Sequence, residues 1–262
     1  MQRIICCYHK TGTALFLNVF RKIAGLKGLR IAAVSGTVGS LPAEFDIIVM
    51  CHSGYDLRRM ERPFRAIHMI RDPRDIIVSG YLYHRRCNEA WCINREFSLQ
   101  APILFPKVPR SQQHRPEAWK RDYVLSLNGK SYQENLLERS QEEGLSFELA
   151  NYAGWTTEAM ANWDYDQGAV LELKFESMYA DFDNVWRDIF AHLALAPGRA
   201  QCGDILRIAQ AHDLQRMDQQ RIRANTHISP GPLVKWRNHL LPSHLAAIEN
   251  RFPRLLGRLG YE

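Results

Sequence analysis

An α/β fold, with a central parallel sheet flanked by helices, is the class this chain predicts, and three observations predict it. Short β-prone apolar runs recur at Arg3–Tyr8, Asp46–Met50, Ala66–Ile70 and Ala169–Phe175. Amphipathic stretches of helical spacing follow several of them. The runs are apolar at nearly every residue, as strands buried on both faces require, and strands alternating with helices call for parallel pairing.

The first run passes into His9-Lys10-Thr11-Gly12-Thr13, after which Leu15, Val19, Phe20 and Ile23 repeat at helical spacing up to Gly25. Pro73 stands where a helix can begin, and Asp75–Tyr83 carries apolar residues on a helical period. The fourth run leads into a helix through Val185, Ile189, Phe190 and Leu193. Between His84 and Trp163 the rhythm breaks. Arg85–Arg121 holds Pro102, Pro106, Pro109 and Pro116 and a net charge of +5, which reads as a long functional lid within one domain spanning 1–262. Ser131–Trp163 returns to helical spacing. After Gly198 the chain reads as helical to about Met217, as a loop through Asn225–Val234, and as a helix over Ser243–Leu259.

The 262 residues, 46% of them hydrophobic, suit one domain with a real core. A net charge of +6 permits an anionic ligand and equally permits nucleic acid. The six cysteines show no C-x₂-C spacing, so no metal is expected and a reducing, cytoplasmic setting is the default. No run of about 20 apolar residues predicts a membrane span. The N-terminal apolar run is too short for a secretory signal, so the protein is expected to start at Met1.

The loop Tyr8-His9-Lys10-Thr11-Gly12-Thr13-Ala14 lies between a strand and a helix, where consecutive backbone N–H groups converge and the helix dipole favours an anion. Gly12 allows close approach of a phosphate, Lys10 adds a full charge, and Thr11 and Thr13 carry hydroxyls. The nucleoside-triphosphate loop has its Lys after the glycine; here Lys10 comes first. The second motif is His68-Met69-Ile70-Arg71-Asp72-Pro73-Arg74-Asp75, with Ser79 two turns into the following helix. Arg71 at a strand end offers a forked donor set suited to a phosphate dianion. Asp72 can cap the helix that Pro73 starts, and Arg74 and Asp75 suit ion pairs in its first turn.

Both motifs resemble those of the sulfotransferases that use 3′-phosphoadenosine 5′-phosphosulfate (PAPS). The first is similar to their Y-P-K-[ST]-G-T-[TS] loop, with His9 for Pro and Ala14 for the second hydroxyl residue. The second is similar to their R-[ND]-P-[RK]-D-x₃-S segment. The resemblance implies a P-loop-like nucleotide-binding architecture with a lid insertion at about 84–163, and PAPS as co-substrate without a metal. It implies that Lys10, Thr11, Gly12, Thr13 and Ala14 bind the donor, with Lys10 also catalytic at the leaving phosphate, and that Arg71 and Ser79 hold the 3′-phosphate. Ile228–Leu240 resembles the cytosolic R-K-G-x₂-G-x-W-K-N-H segment at Gly231, Trp236, Asn238 and His239. The Arg-Lys pair is replaced by Ser229-Pro230, which leaves Ser229, the Gly231 amide and the nearby Arg221 and Arg223 as substitutes. Phe175 stands for an aromatic near the adenine and Leu15 for a stacking Trp; Leu214 is counted with the donor-binding residues. The cytosolic dimer motif is absent. The lid, from Tyr132-Gln133-Glu134 to Met160 and Trp163, looks closer to bacterial and carbohydrate-directed members.

His52 directly follows the second strand, where the family carries its catalytic His, and an imidazole titrating near ~6.5 suits a general base. His9 and Glu134 are its rivals. A small-molecule or carbohydrate acceptor is expected, with no nucleic acid. Trp91, Trp119, Tyr123, Tyr132 and Trp155 can face such an acceptor or the core. Two other readings stand beside this one: a P-loop kinase, which would need the Lys after the glycine, and a non-catalytic nucleotide or nucleic-acid binder, which leaves Arg71 and Ser79 unexplained.

Overall fold

Five parallel strands, β1 (Gln2–Cys6), β2 (Ile31–Val34), β3 (Ile47–Met50), β4 (Phe64–Ile70) and β5 (Val170–Lys174), form a central sheet in the order β2-β3-β1-β4-β5. The structure is a computed structural model and describes residues 1–96, 98, 100, 102–107, 113–225, 228 and 232–262. Four of the strands are those expected from the sequence. The first ends at Cys6 rather than Tyr8, because the chain turns at Cys7 into the loop. The edge strand β2 was not expected: IAAV is short, half-exposed and carries two alanines, so it lacks the apolar signature of a central strand.

The chain divides into two compact units, the first Met1–Arg71 with Asn162–Leu233, the second Asp72–Ala161 with Val234–Glu262. The first holds the whole sheet, and helices flank it. Helix α1 (Thr13–Lys27) follows β1 and ends on a left-handed Gly28. Ile5, Ile47, Val49, Ile67 and Met69 point to one face, where Phe16 and Phe20 of α1 meet Trp186 and Phe190 of a later helix, Phe182–His192. Trp186 is fully buried, with its ring centroid 5.5 Å from Phe16, 5.9 Å from Phe20 and 5.2 Å from Phe190. Alternate residues Ile4, Cys6, Ile48, Met50 and Ala66 face the other way, toward Tyr55, Leu57 and Trp163. The strand order reverses direction at its centre: β1 connects to β2 at one edge, while its neighbour β4 connects to β5 at the other. The crevice between the ends of two such strands is the switch point of an open α/β sheet.

The second unit is helical. Helix α2 (Pro73–His84) leads it and is capped by Asp72, whose Oδ1 accepts from the Arg74 amide at 2.9 Å. The stretch Ser131–Trp163 becomes three helices, Tyr132–Glu138, Gln141–Ala150 and Tyr152–Ala161. The expected lid loop contains helix Glu117–Leu125 among its described residues. Its aromatics pack on one another: Trp91 stacks on Tyr152 at 5.1 Å, and Tyr123 meets Trp155 at 5.4 Å. The expected helix to Met217 is cut to Gly203–Gln210, followed by a turn and a short helix, Gln219–Ala224. The terminal helix breaks after Arg251 and resumes over Leu255–Leu259, because Pro253 cannot continue it.

Because the rings of Phe16, Phe20, Phe182 and Phe190 close around it, Trp186→Ala should destabilise the first unit by about 3–5 kcal/mol, read as a lower urea midpoint at unchanged slope.

Candidate active site

The loop from β1 to α1 is laced through the main chain of Tyr8. The Thr11 hydroxyl accepts from the Tyr8 amide at 2.8 Å and donates to the Tyr8 carbonyl at 3.0 Å, and the Thr13 hydroxyl donates to that carbonyl at 3.0 Å. These bonds use both threonine hydroxyls as donors inside the loop, so in this state they shape it rather than point out of it. The turn needs two left-handed residues, Lys10 at φ 64° and Gly12 at φ 99°. Gly12 caps α1, no side chain caps that helix, and no acidic residue stands in its first turn. At α2 Asp72 does this work, and Ser131–Glu134 and Ser140–Glu143 form reciprocal boxes, while helices such as Phe182–His192 and Gly203–Gln210 also begin without a side-chain cap. The first-turn amides of α1 thus carry no side-chain cap at the positive end of the helix dipole, a geometry that suits an anion. Ala14 lies in that turn, half-buried.

Arg71, at the end of β4, is 5% exposed. Its Nη1 donates to the Lys10 carbonyl and its Nη2 to the Leu233 carbonyl, both at 3.1 Å. Its guanidinium also lies over the Phe175 ring, 5.0 Å from the centroid. A Cβ on Gly12 would stand 3.2 Å from that same ring. Loop, arginine and Phe175 therefore form one assembly, with Phe175 wedged beside Gly12 and beneath Arg71. Leu15 and Phe175 are half-buried against the core.

His52 is half-buried on the loop after β3. The Gly36 amide donates to its Nδ1 at 3.1 Å. An amide cannot reverse that bond, so the neutral ring carries its proton on Nε2. A Cβ on Gly54 would stand 2.1 Å from the Gly36 carbonyl oxygen, so the backbones on either side of His52 touch. Next to it, Ser53 donates to the Cys7 carbonyl at 2.9 Å, joining the His52 loop to the end of β1.

A family profile for the sulfotransferase domain matches residues 48–260. The chain belongs to the sulfotransferase family. The match begins inside β3, so the loop around Lys10 is a separate resemblance. Among solved structures, mouse sulfotransferase SULT7A1 complexed with PAP is similar at TM-score 0.51 and 15% identity, over 98% of this chain and 85% of that one. A retinol dehydratase in complex with androsterone and inactive cofactor PAP matches at TM-score 0.48 and 11% identity, over 98% and 81%. The likeness to the mouse enzyme speaks for the fold. No curated protein matches the chain by sequence. Nothing in these matches supports the finer placement among bacterial or carbohydrate-directed members.

The second unit of this sulfotransferase carries the rest of the second motif. Arg74 forks onto Asp72, with Nη2 2.8 Å from Oδ2, and lies 4.0 Å from the Trp236 ring centroid. Asp75 accepts from the main-chain amides of Lys235 at 2.7 Å and Trp236 at 3.1 Å. Asp75, expected in an ion pair, anchors the C-terminal segment through these two amides. Ser79 is 1% exposed, and its hydroxyl has no hydrogen-bond partner among the described residues, the condition of a group that fits a ligand oxygen. Glu134, the rival base, is a helix cap: its Oε2 accepts from the Ser131 amide at 2.8 Å and its Oε1 pairs with Arg95. The Ser131 contacts foremost, then Arg95, hold its carboxyl below the usual range, which makes it a poor proton acceptor. Arg221 and Arg223 are exposed on Gln219–Ala224, and Leu214 is half-buried in the preceding turn. Ser229 and Gly231 lie outside the described residues. Among the described residues no group of three or more His, Cys, Asp or Glu could hold a metal, and no helix is long and apolar enough to cross a membrane.

Sequence reasoning missed Gly36, which sets the His52 tautomer through a main-chain contact that no motif encodes. It also missed His68 and Glu172, whose signal was two titratable residues inside apolar strands. Gly12→Ala should cost about 1–2 kcal/mol from the left-handed backbone, plus the displacement of Phe175, measured as a fall in thermal unfolding temperature.

Proposed function

We propose that this sulfotransferase takes a sulfuryl group from PAPS and passes it to the hydroxyl of a small-molecule or carbohydrate acceptor by in-line displacement. One observation carries the reading: α1 begins without a side-chain cap behind left-handed Lys10 and Gly12, and Arg71 is fastened to the Lys10 carbonyl. The donor supplies an activated sulfuryl group whose leaving group is adenosine 3′,5′-bisphosphate (PAP). The first-turn amides of Thr13 and Ala14 and the Lys10 side chain would hold the 5′-phosphate and stabilise its growing charge. Arg71 would receive the 3′-phosphate, because a dianion competes well with the neutral Lys10 and Leu233 carbonyls for the guanidinium. Ser79 is the hydroxyl that the resemblance adds. Phe175, beside the loop, is an apolar wall.

His52 is proposed as the general base, accepting the acceptor's proton at Nδ1 when the Gly36 amide yields that lone pair. The Gly36 bond favours a second reading, in which His52 keeps that bond and donates from Nε2–H to a sulfuryl oxygen.

Two experiments test these assignments. By calorimetry, PAP should bind at least tenfold more tightly than 5′-AMP, and Arg71→Ala should erase most of the difference, since charge-assisted bonds contribute about 1.5–3 kcal/mol each. Equal binding of both nucleotides to the wild type would remove the 3′-phosphate site. For His52, a base predicts that turnover falls at acidic pH and drops ~10²–10⁴-fold in His52→Ala. A donor predicts no acid limb, because the imidazolium still carries Nε2–H.

A further inference from the structure

His68 and Glu172 face each other in register on β4 and β5. They share the sheet face of Ile4, Cys6, Ile48, Met50 and Ala66, with Val170 and Lys174 flanking Glu172 along β5. His68 is fully buried, and the Glu172 side chain keeps 31% of its exposure. Glu172 Oε2 is 2.5 Å from His68 Nδ1, and Glu172 Oε1 accepts from Trp163 Nε1 at 2.9 Å. The Trp163 ring stacks on the imidazole at 4.0 Å and 16°, which fixes the plane of that ring.

This arrangement has a direction. An ionised carboxylate only accepts, so the imidazole proton sits on Nδ1 and the Nε2 lone pair faces Tyr8, whose hydroxyl donates to it at 3.0 Å. Burial holds His68 toward its neutral form against the pull of Glu172. Burial likewise pushes the Tyr8 phenol well up, so it stays a donor. Apolar residues would fill this face at lower desolvation cost. They could not hold the Tyr8 hydroxyl at one point.

Tyr8 is also the residue whose amide and carbonyl lace the phosphate loop through Thr11 and Thr13. We infer that His68 and Glu172 are positioning residues for that loop: acting through the Tyr8 hydroxyl, they hold the Tyr8 main chain where Thr11 and Thr13 can fold Lys10 and Gly12 into their donor-binding shape. The effect on donor binding rests on the PAPS reading above; the effect on the loop does not.

The test compares wild type, Tyr8→Phe, Glu172→Gln and the double variant. Tyr8→Phe removes one oxygen and leaves the packing. Glu172→Gln keeps the shape but offers one acceptor oxygen to two donors, His68 and Trp163. In the ligand-free protein, amide exchange over residues 9–13 should quicken about fivefold in either variant, the loss of roughly one hydrogen bond, while β4 amides keep their rate. PAP dissociation constant and donor KM should rise by a similar factor with acceptor KM unmoved, and the double variant should be no worse than Tyr8→Phe. Loop exchange at the wild-type rate in Tyr8→Phe would overturn the inference, as would additive losses in the double variant. A wild type that fails to bind PAP would sink the donor reading alone, since loop exchange still decides the positioning role.

Discussion

The Tyr8 carbonyl takes the Thr11 amide at 3.3 Å and the hydroxyls of Thr11 and Thr13 at 3.0 Å each, so one oxygen closes the turn that joins sheet to helix. Such a turn cannot be made from right-handed backbone alone. It places Lys10 and Gly12 in the left-handed region, a conformation that costs a residue with a Cβ about 1–2 kcal/mol. At Lys10 that cost is offset by bonds on both sides, the threonine lacing before it and the Arg71 clamp on its own carbonyl. The reward is geometric: α1 starts with bare amides at the end of the central strand.

Strand order then brings the second motif to the first. Because β1 and β4 are neighbours whose connections leave in opposite directions, the residues that follow them converge at one crevice. Lys10 follows one strand and Arg71 the other. The hydrogen bond between them needs no further device than the register Cys6 to His68, which sets the two strand ends level. Phe175, immediately after β5, completes the row.

Much of this was legible in the sequence, and the residues show why. Strands β1, β3 and β4 announced themselves through buried apolar runs, and the half-exposed edge strand β5 through Val170, Leu171 and Leu173, whereas the short, alanine-containing β2 had nothing to announce. The loop and Arg71 stood out by their residue types and their spacing after two strands, and the structure joins them through the Lys10 carbonyl. The direction of the Thr11 and Thr13 hydroxyls was not legible, since a hydroxyl serves its own loop as readily as a ligand. Nor was the His52 tautomer, which depends on an amide sixteen residues away in the chain. Glu134 looked like a base and is a cap; the Ser131 three residues before it carried that information, as a capping box does.

Asp75 ends up bound to amides 160 residues further along the chain. On the ribosome, at 5–20 residues per second, α2 therefore exists for roughly 8–30 s before its first turn can receive the segment that its carboxylate anchors. The second unit begins with residue 72 and cannot close until the stretch after Val234 has been made. Its assembly order is thus set by where the tail is encoded: the final segment is a keystone, and until it arrives the nascent chain carries a finished first unit beside a second that is still open.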